Sequence, residues 1–99
     1  MGKRILPILG HPSGTSFCAA LAERYVQSAI DAGHEVRQLR LGELDFDPVL
    51  REGYRQIQVL EEALSAAQSD ILWAEHLTLV YPIWWGGIPA LLKGFFDRV

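Results

Sequence analysis

Short apolar runs alternate with helical segments along the chain, and this alternation restricts the possible folds more than any other feature. Three runs have the length and composition of β-strands: residues 3–9, 34–41 and 76–81. Three segments have helical spacing or helix-starting residues: residues 16–33, 60–74 and 89–99. The order βαβαβα predicts an α/β fold with a parallel sheet and right-handed crossovers.

The first two strand runs differ in how much surface they can bury. Residues 3–9, KRILPIL, are apolar enough for a strand covered on both faces, although Pro7 removes one donor from the hydrogen-bond ladder. Residues 34–41, HEVRQLRL, alternate charged with apolar side chains, as a strand with one wet face does. We therefore expect the first strand inside the sheet and the second at its edge.

Each helical segment carries its own signal. In the first, Ser16 suits an N-cap and Gly33 a C-cap. Its expected buried face consists of Cys18, Leu21, Ala22, Tyr25, Ala29 and Ala32. The stripe of the second helix consists of Leu60, Leu64, Ala67, Ile71 and Ala74, which places Trp73 in a helix. Pro89 opens the third helix, where Lys93 and Arg98 are expected to cap or pair.

Charge and cysteine content exclude several classes of protein. The 99 residues form one domain at most, and the net charge of -3 arises from 12 acidic and 9 basic residues without a basic run for nucleic acid. The single cysteine, Cys18, excludes an internal disulfide, and the first apolar run is too short for a signal peptide or a membrane span. We expect a soluble cytoplasmic protein without membrane insertion.

Two loops follow predicted strands at the edge where parallel sheets bind ligands. The first is GHPSGTS, residues 10–16, which lacks the lysine of a Walker A loop and does not match GxGxxG. It offers small residues, the hydroxyls of Ser13, Thr15 and Ser16, and the positive end of the following helix, which together suit a phosphate. An ordinary strand-to-helix turn with a hydroxyl N-cap is the alternative.

The second loop is PIWWGG, residues 82–87, which has two adjacent tryptophans. Burying a tryptophan removes about 150–250 Å² from water, so a bare one forgoes several kcal/mol. Core packing is one reading, but consecutive side chains do not easily enter one core, and Pro82, Gly86 and Gly87 favour a turn. A flat aromatic ligand or a partner subunit is the better cover for Trp84 or Trp85.

Five segments are shared, at consistent spacing, with a known family: GHPSGTSF, FDPVL, ILWAEH, YPIWWGGIPALLKG and FFDRV. Across residues 5–99 the chain resembles the NAD(P)H:quinone oxidoreductases of flavodoxin-like fold, which include the DT-diaphorases and bacterial modulators of drug activity. The resemblance implies a three-layer α/β/α fold with a parallel sheet of order 2-1-3. It also implies that residues 1–99 are the N-terminal part of a single flavin-binding domain, with about its first three strands.

By position, the resemblance assigns cofactor contacts in both loops. Those facing the flavin phosphates and their surroundings are His11, Thr15, Ser16, Phe17 and Cys18. Those lining the isoalloxazine ring are Ile83, Trp84, Trp85 and Gly86, with Pro82 fixing the turn. Relatives often carry Asn where Cys18 stands, so a backbone contact is expected there without the side-chain hydrogen bond. The family's assisting Tyr and His lie beyond the equivalent of Val99, and we assign no catalytic residue and no metal ligand.

The implied function is hydride transfer from NADH or NADPH, through FAD or FMN, to a quinone or another small aromatic acceptor. The family also implies a homodimer. Two alternatives stay open: a non-catalytic ancillary subunit of the potassium-efflux type on the same fold, and an inactive fragment. With strand order 2-1-3, residues 76–81 would form an open apolar edge, so we expect the isolated chain to self-associate or to stay partly disordered.

Overall fold

The computed structural model describes residues 2–99, and its elements alternate as the sequence predicts. The strands and helices, in chain order, are β1 (Arg4–Leu9), α1 (Phe17–Asp31), β2 (Glu35–Val36), β3 (Leu39–Arg40), α2 (Glu62–Trp73), β4 (His76–Val80) and α3 (Ala90–Arg98). A short 3-10 turn, Leu41–Glu43, follows β3. All strand pairs are parallel and all involve β1, which is therefore the central strand.

The predicted second strand forms as two short pieces, β2 and β3, rather than as one strand over residues 34–41. Both pieces keep one register against β1, with Arg4 opposite Glu35 and Ile8 opposite Leu39. The Ile5 carbonyl accepts a hydrogen bond from the Arg37 N–H at 3.1 Å, so odd-numbered residues of β1 direct their backbone groups to this edge. Pro7 is next in that series and has no N–H, which explains why the ladder is interrupted there.

Counted as one interrupted strand, β2 and β3 give the predicted order 2-1-3, with β4 on the other side of β1. This ladder is continuous, from Ile5 opposite His76 to Leu9 opposite Val80. The second edge of β4 pairs with no strand within residues 2–99, and Leu77 on this strand remains partly exposed. Self-association through this edge stays a prediction, which sizing at several protein concentrations tests.

Two apolar clusters cover the two faces of β1, so the predicted three layers are present. On one face Leu6 and Ile8 pack with α2 and α3 in a cluster that consists of Leu6, Ile8, Leu39, Leu41, Leu64, Ala67, Leu92 and Phe95. On the other face Leu9 packs against Ala19 and Ala22 of α1. The predicted stripe of α2 is confirmed, since Leu60, Ile71 and Ala74 also contact the larger cluster.

The predicted buried face of α1 is wrong in part. The buried residues of this helix are Ala19, Ala22 and Ala29. Leu21 and Ala32, which were expected on the buried face, are exposed. Residues of a helix three and seven apart share a face, and this set is rotated slightly from the predicted one. Small alanines at the contact let α1 approach the sheet closely.

Between the 3-10 turn and α2 runs a long connection, residues 44–61, that contains no helix or strand. Arg98 fastens it from α3: its guanidinium donates to the Glu61 carboxylate, with Nη2 2.6 Å from Oε1, and to the carbonyls of Asp47 and Val59. Only 1% of the Arg98 side chain is exposed. Arg98 therefore pairs with the long connection and not within its own helix, whereas Lys93 pairs with Asp97 one turn away as expected.

Candidate functional site

The two loops singled out in the sequence lie side by side at the carboxyl ends of β1 and β4. The Gly10 N–H donates to the Val80 carbonyl at 2.8 Å, which joins the starts of the two loops. The His11 ring meets the Trp84 ring edge-on, with 5.3 Å between ring centroids and an interplanar angle of 75°. This contact has the geometry that aromatic pairs prefer. The fold thus brings GHPSGTS and PIWWGG into one site.

Short-range hydrogen bonds fix the shape of the GHPSGTS loop. The His11 Nδ1 accepts from the Ser13 N–H at 2.9 Å, and the Ser13 hydroxyl accepts from the Thr15 N–H at 3.2 Å. Ser16 is the N-cap of α1, since its hydroxyl accepts from the Ala19 N–H at 3.1 Å while donating to the Ser13 carbonyl. The cap predicted for Ser16 is therefore present, and it uses only one of the free donors of the helix.

Backbone donors remain at the start of α1 after this capping. No protein acceptor within residues 2–99 is bonded to the N–H groups of Phe17 and Cys18, the first two residues of the helix. Both groups lie at the positive end of the helix dipole, which favours an anion. The Phe17 ring is exposed, whereas the Cys18 side chain packs beside Leu9 and Ala19.

The PIWWGG loop closes as a two-residue turn. Trp84 and Gly87 exchange both backbone hydrogen bonds, at 3.0 and 3.1 Å, and the two residues between them have positive φ: 53° for Trp85 and 76° for Gly86. Positive φ at both central positions is the type I′ arrangement. The turn predicted from Pro82 and the glycines is confirmed. A tryptophan at positive φ is uncommon and costs about 1–3 kcal/mol.

The tryptophans of this turn do not enter the core. Trp85 is fully exposed, Trp84 is 45% exposed, and Ile83 is exposed as well. Core packing as an explanation of the pair is therefore wrong for Trp85. The turn instead holds a continuous apolar surface beside the GHPSGTS loop, in water. Such a surface gains free energy when a flat apolar partner covers it.

The end of the edge strand contributes residues that the sequence reasoning missed. The Arg40 guanidinium donates from Nη2 to the Gly14 carbonyl at 3.2 Å. A Cβ atom on Gly42 would lie 2.2 Å from the Pro12 carbonyl oxygen, so the 3-10 turn rests directly on the loop backbone. Their position could have indicated this contact, because residues 40–42 lie at the end of the predicted second strand, at the same edge of the sheet as GHPSGTS.

Comparison with known proteins agrees with this architecture. A family profile described as Flavodoxin-like fold matches residues 3–99. The chain belongs to this family. It is 38% identical over 100 residues to an uncharacterized NAD(P)H oxidoreductase of Haemophilus influenzae, and the alignment covers 95% of this chain and 48% of the relative. It is 28% identical to NAD(P)H dehydrogenase (quinone) 1 of Cavia porcellus, covering 98% and 42% of the two chains.

Solved structures of the family superpose closely. The NAD(P)H:quinone oxidoreductase from Methanothermobacter marburgensis matches with a TM-score of 0.84 at 28% identity, covering 99% of this chain and 53% of that one. The apo form of an NADH:FMN oxidoreductase matches with a TM-score of 0.75, covering 98% and 50%. The chain therefore spans about half the length of the relatives that it matches.

The described residues of this flavodoxin-like chain suit a flavin at both loops. The two unbonded N–H groups at the start of α1 have the geometry that favours an anion, and the exposed tryptophan surface suits a flat ring. Residues 2–99 contain no cluster of three metal-ligating side chains, and no helix among them is long and apolar enough to cross a membrane.

Proposed function

We propose that this chain supplies the cofactor-binding part of a single flavin-binding domain in an NAD(P)H-dependent oxidoreductase. The cofactor is FAD or FMN, the donor is NADH or NADPH, and the acceptor is a quinone or a similar small aromatic compound. The relatives named above support the reaction class. We further propose a cytoplasmic homodimer, in which a partner subunit helps to cover Trp85, the side chain left bare in one chain.

One observation carries the proposal: a loop with unbonded helix donors and a loop with bare tryptophans meet at the ends of neighbouring strands. The contact between His11 and Trp84, with 5.3 Å between ring centroids, joins the two loops. A flavin has the same two parts, a phosphate-bearing tail and a flat tricyclic ring. Both loops lie at the carboxyl edge of the sheet, where this class of fold binds ligands, and this position supports the proposal.

Each predicted contact has a physical role in this arrangement. The N–H groups of Phe17 and Cys18 bind the phosphate with help from the Thr15 hydroxyl. Ser16 contributes as the N-cap that shapes the loop, since its own O–H donates to the Ser13 carbonyl. His11 orders the loop through its bond to Ser13 and braces Trp84.

The ring side depends on the turn. Pro82 sets the entry of the turn, Gly86 permits its positive φ, and Ile83, Trp84 and Trp85 exclude water from the ring. When bound, the flavin supplies the hydride chemistry between nicotinamide and acceptor.

Flavin binding by the purified chain tests the proposal. We expect the chain to retain visible flavin absorbance after incubation with FMN or FAD and desalting, with quenched flavin fluorescence because the ring lies on tryptophan. Trp85→Ala should weaken binding about tenfold, since it removes one aromatic face. A chain that retains no flavin at any concentration tested contradicts the proposal.

Trp73 provides a matched control. It ends α2 near the start of β1, where its carbonyl accepts from Arg4 Nε at 2.7 Å and Arg37 lies 4.3 Å over its ring. Trp73 therefore lies at the end of the sheet where the strands begin, whereas the PIWWGG loop lies at their carboxyl ends. Trp73→Phe should leave flavin affinity unchanged. Equal losses for Trp73→Phe and Trp85→Ala would mean that the tryptophans act through stability alone.

Turnover separates the enzyme from the ancillary-subunit alternative. We expect oxidation of NADH or NADPH with menadione when the flavin-loaded protein is assayed. A regulatory subunit would bind nucleotide with little turnover. Flavin retention without turnover would keep the binding site and overturn the enzymatic part of the proposal.

A further inference from the structure

Arg40 lies beside the GHPSGTS loop but outside the residues expected to bind a cofactor. It is the last residue of β3, and only 22% of its side chain is exposed. Its Nη2 donates to the Gly14 carbonyl at 3.2 Å and its Nε donates to the Glu43 carboxylate at 2.7 Å. A second carboxylate, that of Glu23 on α1, lies 3.8 Å from Nη1. The guanidinium thus ties the edge strand, the loop and the helix together.

The absence of a side chain on Gly14 leaves room for the Arg40 guanidinium. A Cβ atom on Gly14 would lie 2.8 Å from Arg40 Nη2, so any larger residue at this position would push the guanidinium away. Gly14 does not have positive φ, which means that its backbone does not itself demand glycine. The close approach of Arg40 is therefore the physical reason for a glycine at this point.

The bond fixes one peptide group from both ends. Arg40 holds the Gly14 carbonyl, while the N–H of the same peptide, on Thr15, donates to the Ser13 hydroxyl at 3.2 Å. A glycine peptide without such bonds rotates easily. Rotation would exchange the directions of this carbonyl and the Thr15 N–H and would break both bonds. The loop that leads to the free N–H groups of Phe17 and Cys18 would then lose its fixed shape.

We propose that Arg40 is a positioning residue for the flavin phosphate, acting through the Gly14 peptide. The inference rests on the proposed flavin-binding function. Because Glu23 and Glu43 flank the guanidinium, its charge is largely balanced locally, and its contribution is the orientation of the loop. Arg40 therefore sets the affinity for the phosphate-bearing part of the cofactor and has no influence on the ring surface at Trp85.

Two flavins that differ only in the phosphate provide the test. Riboflavin presents the ring alone, and FMN presents the ring with one phosphate. We expect Arg40→Ala to weaken FMN binding about tenfold, the range of one charge-assisted hydrogen bond, while riboflavin binding stays the same. The readouts are tryptophan quenching and the amide shifts of Phe17 and Cys18 on titration.

A second variant keeps the charge and removes only the contact. Gly14→Ala displaces the end of a flexible side chain, so the fold should tolerate it, and it should reproduce the selective loss of FMN affinity. Combined with Arg40→Ala it should add little, because both changes remove the same bond. Arg24→Ala is the control for charge, since Arg24 is exposed on α1 and has no salt bridge within the described residues.

The outcomes separate the inference from the proposed function. Parallel losses of FMN and riboflavin affinity, an equal FMN loss for Arg24→Ala, or unchanged FMN binding in Gly14→Ala would each overturn the role of Arg40 while leaving the flavin site in place. Failure of the unaltered chain to bind either flavin would overturn both. Selective FMN loss in both loop variants, with unchanged thermal midpoints, is the result that supports the positioning role.

Discussion

Two irregular segments of this chain are held in opposite ways. The long connection, residues 44–61, is fastened from the protein interior by Arg98, whose buried guanidinium bonds Glu61 and two backbone carbonyls. The PIWWGG loop is held mainly by its own turn, with Trp85 bare and at positive φ. The long connection is anchored by a buried side chain, whereas the PIWWGG loop keeps its apolar side chains exposed and its backbone strained.

The difference shows where this small fold uses its stabilising contacts. A connection without helix or strand has many backbone groups to satisfy, and one five-donor side chain satisfies several of them at once. A loop that awaits a ligand gains its contacts only when the ligand arrives. Changes in the first segment should therefore alter stability, and changes in the second should alter binding with little or opposite effect on stability.

The largest expected effect comes from Arg98. Arg98→Met keeps the aliphatic volume but leaves the Glu61 carboxylate and the carbonyls of Asp47 and Val59 without their donor. We expect a loss of about 2 kcal/mol in unfolding free energy, because three acceptors lose the donor that this nearly fully buried side chain supplies. Urea denaturation measures it. Lys93→Met removes an exposed charge from the same helix and should change the midpoint little. Equal losses of stability for Arg98→Met and Lys93→Met would show that the fold does not anchor the long connection through Arg98.

Acid should loosen the long connection before the rest of the chain. Hydrogen bonds from Arg98, and then from the Asp47 N–H, lower the pKa of Glu61 from 4.5 to about 2. A depressed carboxylate pKa adds stability that is present above pH 4.5 and is lost as the pH falls toward 2. We expect the thermal midpoint to fall across that interval, and to fall less in Glu61→Gln. Identical pH profiles for the two proteins would show that this pair does not govern the acid response.

The GHPSGTS loop should respond to its cap. Ser16→Ala removes the acceptor for the Ala19 N–H and the donor to the Ser13 carbonyl, so we expect a loss of about 1 kcal/mol in unfolding free energy. Ser28→Ala, on the exposed side of the same helix, is the control and should be neutral. Circular dichroism on heating compares them. A neutral Ser16→Ala would mean that the loop, like the tryptophan turn, contributes nothing to stability.

The smallest expected change in unfolding free energy has the opposite sign, because a substitution in the tryptophan turn should stabilise the chain. Trp85→Asn places Asn-Gly at the two central positions of the type I′ turn, where asparagine tolerates positive φ better than tryptophan does. We expect the chain to gain up to about 1 kcal/mol in unfolding free energy while losing flavin affinity. Thermal unfolding and flavin titration of one sample report both quantities. A loss of stability would show that Trp85 is part of the packed structure after all.

The sequence predicted the features that repeat along the chain. The stripe of α2 indicated its buried face correctly because one helix period is read from neighbouring residues. The strand order was implied by the family resemblance and is confirmed. The proximity of the two loops was predicted because the carboxyl ends of parallel strands meet at one edge of the sheet. Pro7 was recognised as awkward, but its effect on the opposite strand, the gap between β2 and β3, appears only once the register is known.

The contacts that escaped prediction join residues distant in sequence. Arg98 and Glu61 lie on different elements, and nothing local distinguishes this arginine from an exposed one on α3. Arg40 reaches Gly14 only because β3 pairs with β1. The positive φ of Trp85 also defies local preference, since tryptophan is a poor choice at that position. Such exceptions to local rules are most common at functional sites.

Pro7 also bears on the order in which the chain folds. By interrupting the ladder with the nearer strand, it leaves β4 as the one continuous partner of β1 within residues 2–99, from Ile5 opposite His76 onward. The sheet therefore depends on contacts between distant parts of the chain, which slow folding because a large loop must close first. On the ribosome, β1 emerges long before its continuous partner is made. We therefore expect the β1–α1–β2 unit to be unstable by itself until β4 is made and pairs with β1.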